Sequence, residues 1–424
     1  MKKIRIFYGW YIVIALLLIW AVSFGVPVSS FTAYIEPLIN KFGWNYTQVS
    51  STVSVRSLVY ALIMPLVGLA ADRWSARKLI FAGITLTSIG IFLLGWINSL
   101  AQLYLCYILL GIGGSTLTAT LPLIVVGRWF RKKLSFATGI VMSAAGAGGL
   151  LVPLVTRIID TVRWQTAMLI MGLSMFVFIS PLSLIIRQNP QQSGYLPDGD
   201  VDDSTVPGKG QILPQVSGED IGIKQALKSS PFWLISFAFM GHVFAPIALL
   251  VHIMPYLSTI GIDRTTSSFV ASILPMSNVF GRLLFGWSGD KLNKRWIAVS
   301  GTTLVGISLL MFIYTTTDTK SLLIPAVILC GMGWGGTIIM QPVLMREYFG
   351  TGHLGSIIGF SMSIMTIALI VSPPMVGWIY EKSGSYHIAW FTLLGVAIMS
   401  IICQLISPSA TAFNQRKSQI AGNI

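Results

Sequence analysis

The chain has 424 residues, of which 54% are hydrophobic and only 10% charged, and its mean hydropathy is +0.77. A soluble domain carries about 25% charged residues to face water, so this composition excludes a string of soluble domains and requires an exterior that faces lipid. The formal net charge of +14 does not imply nucleic acid, because Lys and Arg sit in short clusters between long apolar runs and form no single groove-facing patch.

A helix needs roughly 20 apolar residues to cross the hydrocarbon core. In chain order that length is met at 9–34, 48–71, 79–97, 102–126, 134–158 and 165–187, then at 231–257, 267–289, 295–316, 321–345, 354–379 and 386–406. The first run is too long for the apolar core of a signal peptide and no small-x-small site ends it, so it reads as an uncleaved first span. Residues 188–230 are the one long polar stretch, with Pro190, Pro197, Asp198, Asp200, Asp202, Asp203, Pro207, Gly208 and Gly210, a composition that predicts a flexible linker. The expected fold is an all-α polytopic membrane protein of twelve transmembrane helices in two six-helix halves, 1–187 and 231–424, joined by a cytoplasmic linker at 188–230. Cys106, Cys330 and Cys403 all fall inside apolar runs and no Cys/His metal spacing occurs, which predicts neither a disulfide scaffold nor a metal site.

Orientation follows from the basic residues. With both termini in the cytoplasm, 20 of the 28 Lys and Arg residues fall on the cytoplasmic side, six on the other side and two within spans, as the positive-inside rule requires. The expected location is a prokaryotic inner membrane.

The two halves echo each other. Gly111, Gly113 and Pro122 match Gly331, Gly333 and Pro342 at an offset of 220, and Gly68…Asp72-Arg73 recurs as Gly286…Asp290-Lys291 at an offset of 218. Helix packing by itself would not repeat a loop motif, so a duplicated architecture around a midplane site is expected, as in many secondary transporters.

The repeated loop, Gly-x-x-x-Asp-[Arg/Lys] followed by a basic pair (Arg77-Lys78 and Lys294-Arg295), resembles the signature loop of the major facilitator superfamily. The first copy departs from it, with Ser75 near the usual second Gly and the basic pair one residue late. The resemblance implies a gating role for Asp72, Arg73, Arg77, Asp290 and Lys291, whose charges can dock a short loop onto a neighbouring helix end. Tyr8-Gly9-Trp10, Phe42-Gly43-Trp44, the segment Arg128-Trp129-Phe130-Arg131-Lys132-Lys133 through Ala137 and Gly139, and His252-x-x-Pro255-Tyr256 are similar to the monocarboxylate transporter and oxalate/formate antiporter families, which move small carboxylates by alternating access.

All 14 acidic residues fall in loops or at span ends, whereas Arg56 and Arg282 lie inside the second and eighth spans. An Arg at a helix centre costs about 2.5–3.5 kcal/mol even on insertion scales. A cation at bilayer depth with no acid at that depth calls for an anion from elsewhere, and a carboxylate matches the guanidinium fork. Arg282 lies about 10 Å from the cytoplasmic end of its span, one turn beyond Asn278 on the same face; the resemblance also implies a substrate-binding Arg in the eighth span. Arg56 lies nearer the outer end of its span, where it either binds anion, snorkels or joins an external gate. His252, with an ordinary pKa near 6.5, either meets substrate, senses protons or is satisfied within the bundle. His242 reads as packed. Tyr104, Tyr107, Trp334 and Gln341 lie in the fourth and tenth spans, which line the cavity in the fold implied; Tyr107 and Gln341 are the stronger candidates.

Departures narrow the reading. The animal monocarboxylate transporters have a Lys after the Pro of the first span, where Val28 follows Pro27, and an Asp where Asn278 stands. The oxalate antiporters have a Lys in the eleventh span, and 354–379 has none. One central Arg suits one carboxylate. The leading expectation is a monomeric, proton-coupled carrier of lactate or pyruvate type with no cofactor; the alternatives are an oxalate/formate-type exchanger and, from another class, a non-transporting membrane sensor. A drug exporter lacks its buried acid, and no Ser/His/Asp set or phosphate loop supports an enzyme.

Overall fold

The computed structural model describes residues 7–29, 31–44, 46–118, 120–190, 198, 222–315, 319–410 and 413. Among them, twelve helices are long and apolar enough to cross a membrane: Tyr8–Val28, Ser51–Arg73, Ala76–Leu94, Leu100–Trp129, Leu134–Ile159 and Trp164–Ile185, then Ser230–Thr259, Phe269–Gly289, Lys294–Ile313, Lys320–Phe349, Leu354–Ser383 and Tyr386–Ile406. These are the first to twelfth spans. The first span is shorter than expected. Pro27 has no N–H to offer the preceding turn, the helix loosens into a π turn at Gly25–Ser29, and a separate helix, Thr32–Phe42, ends at Gly43 with φ +69°. Most of the acidic linker lies outside the described residues, as do the basic residues 2, 3 and 5; the exceptions are residues 188–190, Asp198 and residues 222–230, which include the helix Ile223–Lys228.

The chain divides into two compact units. The first holds residues up to 217 together with 353–360, the first turns of the eleventh span; the second holds 218–352 and 361–424.

The repeat is structural as well as sequential. In the first unit a Cβ on Gly111 would meet the Arg56 carbonyl, and one on Gly83 would meet Thr116. In the second, a Cβ on Gly331 would meet the Leu274 carbonyl, and one on Gly301 would meet Thr337. Glycine at these crossings lets the backbones touch, the small-residue packing that membranes favour in the absence of a hydrophobic drive between helices. The two crossings align Arg56 with Leu274, Tyr60 with Asn278 and Met64 with Arg282. The two intramembrane arginines are therefore not repeat mates.

Both fourth spans of the repeat also break at one place. Pro122 removes the donor for the Thr118 carbonyl, and the helix is interrupted there, Leu100–Leu117 giving way to Thr120–Trp129 with Thr118 extended. Tyr60 fills the gap with a hydroxyl 2.5 Å from Thr118 Oγ1. Pro342 marks a milder break in the tenth span, between Leu323–Ile338 and Met340–Phe349, where Ile339 keeps a right-handed helical backbone.

The motifs at the helix ends close aromatic clusters. Phe7, Tyr8 and Trp10 pack on Trp129 and Phe130 at ring separations of 4.9 to 5.8 Å, Trp129 Nε1 donates to the Arg187 carbonyl at 2.8 Å, and Gly9 is small because a Cβ would strike Phe7 and Phe130. In the second unit a separate cluster forms at the ends of the seventh and ninth spans and the start of the twelfth, from Tyr256, Phe312, Tyr386 and Trp390, with Tyr256 donating to the Phe312 carbonyl at 3.0 Å.

Candidate functional site

Polar groups in the second unit gather where the eighth and tenth spans cross. A Cβ on Gly335 would lie 2.0 Å from the Asn278 carbonyl oxygen, and one on Gly281 would lie 2.3 Å from the Met332 carbonyl. The backbones are thus in direct contact around Asn278 and Arg282, which are 5% and 6% exposed. Polar atoms of these two spans that make no hydrogen bond among the described residues include Asn278 Nδ2, Trp334 Nε1 beside Gly335, and Gln341 Oε1. A buried polar group left so costs about 1–3 kcal/mol, which makes each a candidate for completion by ligand or water. Acids keep away from this depth: Asp72, Glu347 and Glu381 each stand within the last three residues of their spans.

Other predicted residues lie elsewhere in this unit. Gln341 Nε2 donates to Ser361 Oγ at 2.7 Å, and Ser361 shares a 2.9 Å hydrogen bond with Ser236, so Gln341 ties the tenth span to the seventh and eleventh. His252 has both ring nitrogens engaged, Nε2 with the Pro373 carbonyl at 2.9 Å and Nδ1 with the Tyr386 hydroxyl at 3.4 Å. The carbonyl only accepts, so Nε2 carries the proton and, in the neutral ring, Nδ1 accepts from Tyr386. His242 is fully buried, with Nδ1 3.1 Å from Thr302 Oγ1, which also accepts from Gln404 Nε2 at 3.0 Å. That geometry is the packed role expected of it.

In the first unit Arg56 is half-buried and acts electrostatically on the hydroxyls of Tyr60 and Tyr107. Tyr107 is 1% exposed and meets the edge of Phe31. Tyr104 is paired with Ser51 at 2.5 Å. Arg56 and Tyr107 are thus neighbours within one unit.

The signature loop has a partner that sequence reading missed. Asp72 accepts from the main-chain N–H of Gly355 and of Ser356, each at 3.0 Å, and from the Ser356 hydroxyl. These groups belong to the first turn of the eleventh span, where helix amides and dipole favour an anion. Gly68 and Gly355 make the approach possible, since a Cβ on either would strike the other's carbonyl. Arg128 lies within electrostatic reach of Asp72. Arg73 and Arg77 are exposed and make no ion pair among the described residues. Asp290 is the half-buried cap of the eighth span, Lys291 sits 3.8 Å over the Trp287 ring, and Lys294 pairs with Glu347. The Gly355-Ser356 pair at a helix start was the available signal, although nothing local links it to a loop 283 residues away.

Hydrogen bonds to a charged group are worth about 1.5–3 kcal/mol. Asp72→Asn is expected to lower the thermal unfolding midpoint by roughly 3–6 °C on the scale for large domains, and Arg73→Ala to change it by less than about 1 °C, as surface substitutions do. Fluorescence-detected melting of the two purified variants checks this; equal midpoints would remove Asp72 as the residue that holds the first turn at Gly355 and Ser356.

Comparison with known proteins fits this architecture. The Major Facilitator Superfamily profile matches residues 12–373. Monocarboxylate transporter 12 of Rattus norvegicus is 27% identical over 411 residues, covering 92% of this chain and 83% of that one. The oxalate:formate antiporter of Oxalobacter formigenes is 25% identical over 363 residues, covering 85% and 82%. Among solved structures, the E. coli fucose:proton symporter FucP (TM-score 0.68, 94% of this chain and 98% of that one) and the human organic anion transporter MFSD10 (TM-score 0.68, 93% and 98%) share the fold at 13% identity. The duplicated six-span halves, the repeated Gly-to-Asp loop and the profile spanning most of the sequence lead to one conclusion: this chain is a transporter that belongs to the major facilitator superfamily.

Proposed function

We propose that the protein is a proton-coupled secondary transporter of a small monocarboxylate of lactate or pyruvate type, working by alternating access, with Arg282 as the carboxylate-binding residue and Asn278 beside it. The observation that carries this reading is the buried Arg282–Asn278 pair at the glycine-lined crossing of the eighth and tenth spans, at a depth where no acidic side chain stands among the described residues. A carboxylate accepts two parallel N–H bonds from a guanidinium, and Asn278 Nδ2 and Trp334 Nε1 are further donors that make no hydrogen bond among the described residues. Pairing neutralises the cation, and the loaded carrier then redistributes between its states by its differential affinity for them. The resemblance in sequence to monocarboxylate transporters supports the substrate class. Both termini are assigned to the cytoplasm on the charge bias of the loops, and a prokaryotic inner membrane on the resemblance to bacterial monocarboxylate carriers.

His252 is the proposed proton-responsive group, since a second ring proton on Nδ1 would require the Tyr386 hydroxyl to turn from donor to acceptor. His252→Gln is then expected to abolish stimulation of lactate uptake by an inward proton gradient while lactate–lactate exchange continues. The decisive experiment is uptake of labelled lactate into proteoliposomes with and without that gradient, in competition with formate, oxalate and pyruvate. Gradient-driven uptake blocked by pyruvate and not by oxalate supports the proposal; uptake only into anion-preloaded vesicles sinks it in favour of an oxalate/formate-type exchanger. That second reading draws on Arg56, a further cation beside Tyr60 and Tyr107 in the first unit. Transport that survives removal of residues 199–217 would dispose of the sensor alternative.

A further inference from the structure

At the end of the first unit that carries the loop between the second and third spans, a cavity of about 410 Å³ is lined by Ser75, Arg77, Lys78, Phe81, Ser183 and Leu184. Its volume lies within the range of small-molecule sites. Arg77 and Lys78 are adjacent, exposed, and make no ion pair among the described residues. Ser75 occupies the cap position of the third span, yet its hydroxyl is not used to cap the helix. One wall is therefore cationic and hydroxylated.

The other wall is apolar and continues along the lipid-facing surface. Phe81, one turn beyond Arg77, is 44% exposed and Leu184 is 58% exposed. Phe81 meets Phe176 at 6.2 Å between ring centroids, and Phe178 beyond it is 73% exposed. Trp74, three residues before Arg77, is 63% exposed, as residues of the aromatic belt at a membrane interface are. Cations at headgroup level over an apolar groove between two spans match a phospholipid with an anionic head. Free phosphate would satisfy the cations and make no use of the apolar wall.

We infer that this cavity is a binding site for one anionic phospholipid, its phosphate held by Arg77, Lys78 and Ser75 and an acyl chain laid along Phe81 and Leu184. The site assigns Arg77 and Lys78 a ligand in place of a gate partner, and it is independent of the substrate carried.

The test uses the full chain reconstituted in nanodiscs of phosphatidylcholine with phosphatidylglycerol, then released into mild detergent for native mass spectrometry. The wild type is expected to retain one phosphatidylglycerol per chain. Arg77→Gln/Lys78→Gln is expected to retain it roughly 30-fold less tightly, from the attraction of two surface cations, while Lys132→Gln/Lys133→Gln, which removes two exposed cations from the neighbouring loop, retains it as the wild type does. Both positions in the first pair are exposed, so packing is left alone; Phe81→Ala, with both cations intact, gives a second reading and should also weaken retention. Equal retention in the Arg77/Lys78 pair, or an equal loss in the Lys132/Lys133 pair, overturns the inference. So does displacement of the lipid by millimolar inorganic phosphate, which would make the cavity a free-phosphate site.

Discussion

Arg282→Ala is expected to lower lactate uptake at least about 100-fold, and Arg282→Met, of similar volume, to do so without lowering the thermal stability of the protein. Truncating one member of a buried, hydrogen-bonded charge pair costs about 2–5 kcal/mol, or roughly 30-fold to several thousand-fold at 1.4 kcal/mol per decade. The stability term runs the other way, because removing a buried ionic group in favour of an apolar one is often neutral or stabilising. Arg282→Lys keeps the charge but loses the planar fork, so it is expected to recover only part of the rate. Millimolar lactate should raise the unfolding midpoint of the wild type by mass action and leave that of Arg282→Ala unmoved. Uptake by the Ala variant at the wild-type rate would refute the assignment; a lower midpoint with lost uptake in the Met variant would make Arg282 a structural residue.

Gly335→Val is expected to have the largest effect of any substitution outside the binding residues. A Cβ at this position would lie 2.0 Å from the Asn278 carbonyl oxygen and 2.8 Å from its carbonyl carbon. The obstacle is backbone, so no rotamer change relieves it and the eighth span must move. Overpacking of this kind costs typically 1–3 kcal/mol, and a displacement of about 1 Å at a binding group can lower a rate about 100-fold. Uptake should therefore collapse and the unfolding midpoint should fall by several degrees. Gly395 is the control: a Cβ there meets nothing within 4 Å, and Gly395→Ala should be neutral or stabilising by the helix-propensity difference of about 1 kcal/mol. Wild-type uptake by Gly335→Val would show that the two spans do not cross here as described.

Much of this could be read without coordinates. The twelve spans and the two intramembrane arginines follow from hydropathy and charge, which are properties of each residue in its local stretch, and the twofold repeat follows from matched Gly, Pro and Asp positions. The repeat even fixed the register of helix crossings, since Gly111 and Gly331 meet equivalent carbonyls. Local chemistry did mislead where it was overridden by backbone geometry. The apolar run at 9–34 reads as one helix, but Pro27 breaks its hydrogen bonding, and the chain resumes as Thr32–Phe42.

The sequence by itself determined that this is a membrane carrier with cations and no acids at bilayer depth, because the cost of burying charge in hydrocarbon depends on residue type and position in a span. Only the tertiary structure decided what those residues touch. Asp72 finds Ser356 across 284 positions of chain, His252 is held by Pro373 and Tyr386 across 121 and 134, and Arg77 turns out to line a cavity beside the end of the sixth span. Hydrogen bonds and close glycine crossings act over about 3 Å, and residues hundreds of positions apart come that close only when every helix between them has packed.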